Sequence, residues 1–93
     1  MTRPEVFNAF NEQMIGELDQ AFERLTADPK VRVIVLAGAG KAFSAGADIQ
    51  WMQRAAQSSQ EWNLQDARRF AAMLYRIQSC PKPTVARVQG VAL

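Results

Sequence analysis

Hydrophobic residues recur every three or four positions over residues 10–25, and this spacing predicts an amphipathic helix with one buried face. Asn11 can cap its amino end, and Glu12 in the first turn suits the helix dipole. The helix should end at Asp28, because the residue before a proline avoids the helical region. Its apolar stripe consists of Phe10, Met14, Ile15, Leu18, Ala21, Phe22 and Leu25.

A second stretch with helical spacing covers residues 63–79. Asn63 is expected to cap this helix, with Asp66 completing a box-like arrangement, and the helix should end near Ser79. Ile49 and the two residues Trp51-Met52 predict a short helix before it, whereas residues 53–62 are polar and indicate a surface loop or a loosely held helix. The stripe of the second helix consists of Leu64, Ala67, Phe70, Ala71, Leu74 and Ile77.

Two runs rich in β-branched residues, Val31–Leu36 and Thr84–Val88, predict strands. The first run is apolar on both faces except at Arg32, which is typical of a strand covered on both sides. Pro81 and Pro83 delay the second strand, because proline cannot donate to a strand ladder. The order strand, helix, strand predicts a parallel pair with a right-handed crossover, and the fold class is therefore α/β.

Composition excludes several classes of function. The chain has 93 residues and a net charge of only +2, so we expect no nucleic-acid partner, and without a run of eighteen apolar residues we expect no membrane span. There is no histidine, which excludes a Ser-His or Cys-His nucleophile pair and removes the commonest metal ligand; we expect no metal. A single cysteine, Cys80, forms no internal disulfide and indicates a reducing, cytoplasmic location, with the thiol acting as a small structural side chain.

The loop over residues 37–46 holds three of the five glycines, but it does not fit the common phosphate-binding motifs. A P-loop would need glycine at Val35 and Ser or Thr at Ala42, and the dinucleotide fingerprint would need glycine at Phe43. Ser44 has no histidine to activate it and is best interpreted as a loop hydroxyl. Asp48 is interpreted as the acidic residue of a helix start rather than a general base, because no second carboxylate is spaced to lie beside it.

The main chain of Ala45-Gly46-Ala47 is the candidate site that remains. Small side chains let a ligand approach the backbone closely, and the segment leads from a strand into a helix. The N–H of Ala47 can therefore stabilise negative charge that develops on a carbonyl oxygen. A purely structural loop is the alternative interpretation of the same residues.

Four blocks of sequence occur in a characteristic order and spacing: RPEVFNAF at residues 3–10, VIVL at 33–36, FSAGADI at 43–49 and PKPTVARVQG at 81–90. Together they resemble the enoyl-CoA hydratase/isomerase (crotonase) family over essentially the whole chain. The third block is the most specific of the four. The resemblance implies the ClpP/crotonase fold, a spiral of ββα units with parallel strands and crossover helices, usually assembled as a homotrimer or homohexamer.

The resemblance also implies a function and a set of site residues. Family members bind acyl-CoA thioesters, with coenzyme A as part of the substrate and no prosthetic group, and they hold an enolate between two backbone N–H groups. The first of these groups would be the Ala47 N–H. The coenzyme A contacts would come from Val6, Ala45, Ala47, Asp48, Ile49 and Gln50.

In the family, the second oxyanion N–H and the catalytic glutamates follow the segment that matches Gly90–Leu93, and the first strands precede Arg3. The resemblance therefore implies that residues 1–93 are a single incomplete domain, truncated at both ends and inactive alone. The full protein would be a hydratase, a lyase of fatty acid metabolism. Two alternatives remain for the full protein. It could be an isomerase, hydrolase or decarboxylase, or it could be a non-catalytic paralogue that binds coenzyme A or pairs with full-length subunits. Trp51-Met52 resembles a methylglutaconyl-CoA hydratase-like subgroup, and Trp51 would line the acyl pocket or be a core or interface aromatic.

Overall fold

The computed structural model describes all residues from Met1 to Leu93. A turn of 3₁₀ helix (Pro4–Val6) is followed by helix α1 (Glu12–Ala27), strand β1 (Ile34–Ala37), helix α2 (Ile49–Gln57), helix α3 (Gln60–Gln78) and strand β2 (Thr84–Arg87). This order confirms the α/β class. None of the helices combines the length and the apolar character needed to cross a membrane.

Strands β1 and β2 pair in parallel, with Ile34 opposite Thr84, and so confirm the predicted pairing. β1 begins three residues later than predicted, because Pro83 in the neighbouring segment has no N–H to donate to the ladder. The ladder starts where the Pro83 carbonyl accepts the Ile34 N–H at 3.0 Å. The expected burial of both faces is wrong for this chain. Val35 and Val85 are register partners and are 60% and 52% exposed, whereas Ile34 is buried on the opposite face.

Helix α1 has the predicted ends. The Asn11 side chain accepts the Met14 N–H at 2.9 Å, and the helix stops before Asp28, which precedes Pro29. The helix packs against α3 and buries Met14, Ile15 and Phe22. The local signals at both ends therefore suffice to predict this helix.

The start of α3 differs from the prediction. Residues 53–62 are mostly helical, which fits the helix alternative rather than the loop: residues 53–57 complete α2 and residues 60–62 begin α3. The cap of α3 is Ser59, whose hydroxyl accepts the Trp62 N–H at 3.0 Å. Asn63 is not the cap, because its side-chain amide donates instead to the Ala55 carbonyl at 2.8 Å and closes the end of α2. Asp66 completes no capping box, because its carboxylate accepts the indole N–H of Trp51 at 2.6 Å. Two polar residues of α3, Asn63 and Asp66, thus face α2. Apolar spacing alone therefore does not indicate which face of α3 is buried at this end.

The core lies between the helices. Trp51 is 8% exposed and belongs to this core, which places it among the core aromatics. The predicted α3 stripe is partly wrong: Leu64 and Leu74 are about half exposed, whereas Met73 is fully buried. The central residues are Ile15, Trp51 and Met73, and Phe10, Leu18, Phe70 and Ile77 pack around them.

Candidate functional site

A short backbone pairing sets the geometry around Ala47. Phe10 forms a parallel bridge with Ala47: the Phe10 N–H donates to the Gly46 carbonyl at 2.7 Å, and the Asp48 N–H donates to the Phe10 carbonyl at 2.8 Å. Successive residues of an extended segment point their N–H groups to opposite sides. The N–H of Ala47 therefore points away from the segment that contains Phe10.

The Ala47 N–H donates no hydrogen bond within the chain. Gly46, immediately before it, has a φ of +94°, a conformation that glycine adopts without steric cost. The Ala47 side chain is exposed, so the backbone here is accessible to a ligand. A backbone N–H free of internal partners and next to a helix start can donate to an external acceptor atom.

Ala47 lines an open groove with a volume of about 620 Å³, a size common for small-molecule sites. The groove brings together all six residues that the sequence nominates: Val6, Ala45, Ala47, Asp48, Ile49 and Gln50. It also includes residues that sequence reasoning missed, namely Arg3, Glu5, Phe7, Ala9 and Gln53. Two separate segments of chain, residues 3–9 and 45–53, form the groove, and no spacing within one segment indicates the other. The ligand roles of the nominated residues stay predictions.

Asp48 caps helix α2 and pairs with a cation. One carboxylate oxygen accepts the Trp51 N–H at 3.1 Å, and the other lies 3.0 Å from the Arg3 guanidinium. The residue is only 6% exposed. Burial raises the pKa of this carboxyl, but hydrogen bonds from the Trp51 N–H, the Arg3 side chain and the Gln50 N–H together lower it below its ordinary value. Asp48 is therefore ionised at neutral pH and is a poor general base.

The lowered pKa of Asp48 predicts a loss of stability in acid. Because the folded-state pKa lies below the unfolded one, its contribution is fully present above about pH 4 and is lost as the pH falls through the folded pKa. We expect the Asp48→Asn variant, which keeps the cap but not the charge, to show a smaller fall in urea midpoint between pH 6 and pH 3. An unchanged pH dependence in this variant would contradict the assignment.

Asn8 holds the loop over residues 37–46, here called the glycine loop, through buried hydrogen bonds. It is completely buried and has a left-handed backbone, with φ of +54°. Its side chain accepts the Arg3 N–H at 2.9 Å and donates to the carbonyls of Ala39 and Ala42 at 2.8 and 2.9 Å. The Ser44 hydroxyl donates to the Asn8 carbonyl at 3.0 Å, so Ser44 is a buried structural hydroxyl. The loop that leads to Ala47 is thus held by buried hydrogen bonds.

Few reactive or metal-binding side chains lie outside the groove. Cys80 is half-buried, and its thiol lies 3.5 Å from the Thr26 hydroxyl, which lowers the pKa of the thiol together with the Lys82 N–H. The structure has no cluster of three or more His, Cys, Asp or Glu side chains that could hold a metal ion. The groove around Ala47 is therefore the candidate site.

Residues 1–93 match the family model described as enoyl-CoA hydratase/isomerase. The chain belongs to the enoyl-CoA hydratase/isomerase family. It is 35% identical over 98 residues to the crotonyl-CoA hydratase of Syntrophomonas wolfei, covering 100% of this chain and 35% of that protein. It is 32% identical over 98 residues to the mitochondrial Delta(3,5)-Delta(2,4)-dienoyl-CoA isomerase of Mus musculus, covering 97% of this chain and 30% of that protein.

Solved structures of the enoyl-CoA hydratase/isomerase family confirm the fold. An enoyl-CoA hydratase from Shewanella pealeana superposes with a TM-score of 0.91 at 40% identity, covering 95% of this chain and 33% of that chain. The chain therefore has the α/β architecture of part of the crotonase fold, as the sequence resemblance implies. It spans about a third of the length of the relatives that it matches.

Proposed function

We propose that the whole protein carrying these residues is an enoyl-CoA hydratase, a lyase that adds water to the double bond of a 2-enoyl-CoA. The Ala47 N–H would be one of two backbone donors that stabilise the enolate oxygen formed from the thioester carbonyl. The observation that carries the proposal is that this N–H has no internal acceptor and belongs to a residue that lines a groove. A preorganised donor of this kind contributes about 3–4 kcal/mol to transition-state stabilisation.

The groove is the proposed binding site for the coenzyme A part of the substrate. The small residues Ala45, Gly46 and Ala47 leave the main chain accessible, which suits hydrogen bonding between backbone groups and an extended amide-bearing ligand. Val6 adds apolar surface from the amino-terminal segment. No prosthetic group is part of the proposal, because the thioester itself supplies the carbonyl that becomes the enolate.

An isomerase is the second candidate, because the mouse relative is a dienoyl-CoA isomerase. An N–H that stabilises an enolate serves either reaction equally well, since both remove or add a proton next to a thioester carbonyl. The groups that would move the proton separate the two reactions, and Asp48 does not suit that role because both of its carboxylate oxygens already accept hydrogen bonds within the protein. We further propose that the whole protein is a cytoplasmic homotrimer or homohexamer. The location rests on the lone cysteine, and the oligomeric state rests on the family resemblance.

Ala47→Pro in the whole protein tests the proposal, because proline lacks the N–H in question and places a ring carbon where the hydrogen was. The bridge to Phe10 uses the Gly46 carbonyl and the Asp48 N–H, so both hydrogen bonds survive the substitution. We expect kcat for hydration of crotonyl-CoA to fall by about 10²- to 10³-fold. Steady-state kinetics measure this, and we expect the 93-residue chain alone to show no turnover.

Ala47→Ser is the matched variant, because it changes the same exposed side chain and keeps the N–H; it should retain the larger part of the activity. Thermal unfolding of both variants checks that the fold persists. A folded Ala47→Pro variant with wild-type kcat would overturn the role of the N–H. A whole protein that binds coenzyme A thioesters but neither hydrates nor isomerises them would instead support the non-catalytic paralogue.

A further inference from the structure

We infer that Arg3 is a positioning residue that holds the Ala47 N–H in its orientation by joining Asp48 to the segment that contains Phe10. This inference rests on the proposed role of Ala47. Arg3 is separated from Asp48 by 45 positions in the chain, and it lines the same groove as Asp48.

The guanidinium contacts both segments of the bridge at once. One terminal nitrogen donates to the Ala9 carbonyl at 2.6 Å, and the other donates to the Asp48 carboxylate at 3.0 Å. Ala9 directly precedes Phe10, and Asp48 directly follows Ala47, so Arg3 bonds to the neighbours of the two bridged residues. A planar guanidinium can satisfy two acceptors at fixed angles, which a single ammonium group does less well.

The bridge needs this support because it is an isolated pairing: two backbone hydrogen bonds flank Ala47, and one more, from the Ala45 N–H to the Phe7 carbonyl at 2.9 Å, joins the same two segments. Arg3 is also the only cation within 4 Å of the buried Asp48 carboxylate. Without Arg3, the Asp48 side chain loses its link to the Ala9 carbonyl and can rotate toward water, whether or not it carries a charge. That rotation would release the Trp51 N–H from its cap and allow the first turn of α2, with Ala47 before it, to move.

The experiment compares Arg3→Met with Arg3→Lys in the whole protein. Arg54→Met is the matched control, because Arg54 also links α2 to another helix, through a surface ion pair with Glu12, but lies outside the groove. We expect Arg3→Met to lower kcat for crotonyl-CoA by about 10- to 100-fold with little change in KM, since small misplacement of a catalytic group has effects of this size. Arg3→Lys should recover part of the loss, and Arg54→Met should leave kcat unchanged.

Amide hydrogen exchange gives a readout that does not depend on activity. The Asp48 N–H donates to the Phe10 carbonyl, so it should exchange faster in Arg3→Met and not in Arg54→Met.

If Arg3→Met does not fold, the double variant Arg3→Met/Asp48→Asn removes both charges and keeps a capping side chain, and the same fall in kcat is expected. Rescue of kcat in this double variant would mean that the buried charge, not the link between segments, matters, and would overturn the inference.

The outcomes separate this inference from the proposed function. An active wild-type protein whose Arg3→Met variant keeps both kcat and slow Asp48 exchange would overturn the positioning role and leave the hydratase proposal intact. A rise in KM alone would show that Arg3 contacts the ligand directly, and it also overturns positioning. A wild-type protein without activity on enoyl-CoA thioesters would overturn the proposed function, and with it the effect on kcat, whatever the exchange of Asp48.

Discussion

Replacing Gly90 by alanine is expected to prevent the segment around residues 89–93 from docking against the glycine loop. A Cβ atom at this position would lie 2.1 Å from the backbone carbonyl oxygen of Lys41, far inside van der Waals contact, and the residue has a φ of +59°. The surrounding backbone has little room to adjust. The Phe43 N–H donates to the Gln89 carbonyl at 2.8 Å, and the Ser44 N–H donates to the Val91 carbonyl at 3.1 Å, one on each side of Gly90.

We expect this substitution to lower the free energy of unfolding by more than about 4 kcal/mol, an exceptional size for a single substitution that an unrelieved steric conflict can reach. Urea denaturation followed by circular dichroism measures the change. Gly16→Ala is the matched control, because Gly16 lies within α1 and has nothing within 4 Å of the added Cβ. That variant should be more stable by roughly 0.5–1 kcal/mol, as expected for glycine to alanine in a helix. Equal midpoints for the two variants would contradict the steric argument.

Asn8→Ala is expected to destabilise the protein by about 3 kcal/mol, through the loss of three hydrogen bonds at a fully buried position. The Arg3 N–H and the carbonyls of Ala39 and Ala42 would lose their side-chain partner. Leaving buried donors and acceptors unsatisfied costs about 1–3 kcal/mol each, partly offset where a group reaches water. The left-handed backbone adds roughly 1 kcal/mol for alanine, whereas asparagine tolerates that conformation.

Asn8→Gly separates the two contributions, because glycine removes the side chain without the backbone strain. We expect the glycine variant to be destabilised as well, but by roughly 1 kcal/mol less than the alanine variant. Chemical denaturation of both variants measures this difference. Wild-type stability in Asn8→Gly would show that the buried hydrogen bonds of the side chain contribute nothing.

The helices show why some elements could be predicted and others could not. Helix α1 carries its signals locally: Asn11 at one end, Asp28-Pro29 at the other and an apolar stripe between them. Helix α3 presents Asn63 and Asp66 to α2 instead of apolar residues, because each has a hydrogen-bond partner there. Those partners are known only once α2 and α3 are folded together. The sequence pattern therefore predicts the cap at Asn63, four residues after the observed cap, Ser59.

The candidate site divides in the same way. The small residues around Ala47 and the family resemblance were enough to nominate the backbone segment and Val6, all of which line one groove. Arg3 was missed because its link to Asp48 depends on the path of the chain over 45 residues. The direction of the Ala47 N–H likewise follows from its pairing with Phe10, which no local pattern encodes.

By itself, the sequence determined the order of helices and strands, the parallel pairing, the glycine loop and the family. These properties depend on periodicity, capping, proline chemistry and motifs that act over a few residues. Only the tertiary structure decided that Trp51 lies in the core, that one face of the two-stranded sheet is exposed, and that the Ala47 N–H has no internal partner. Those outcomes depend on which distant groups meet, because a hydrogen bond or a buried contact forms only when folding brings both partners together.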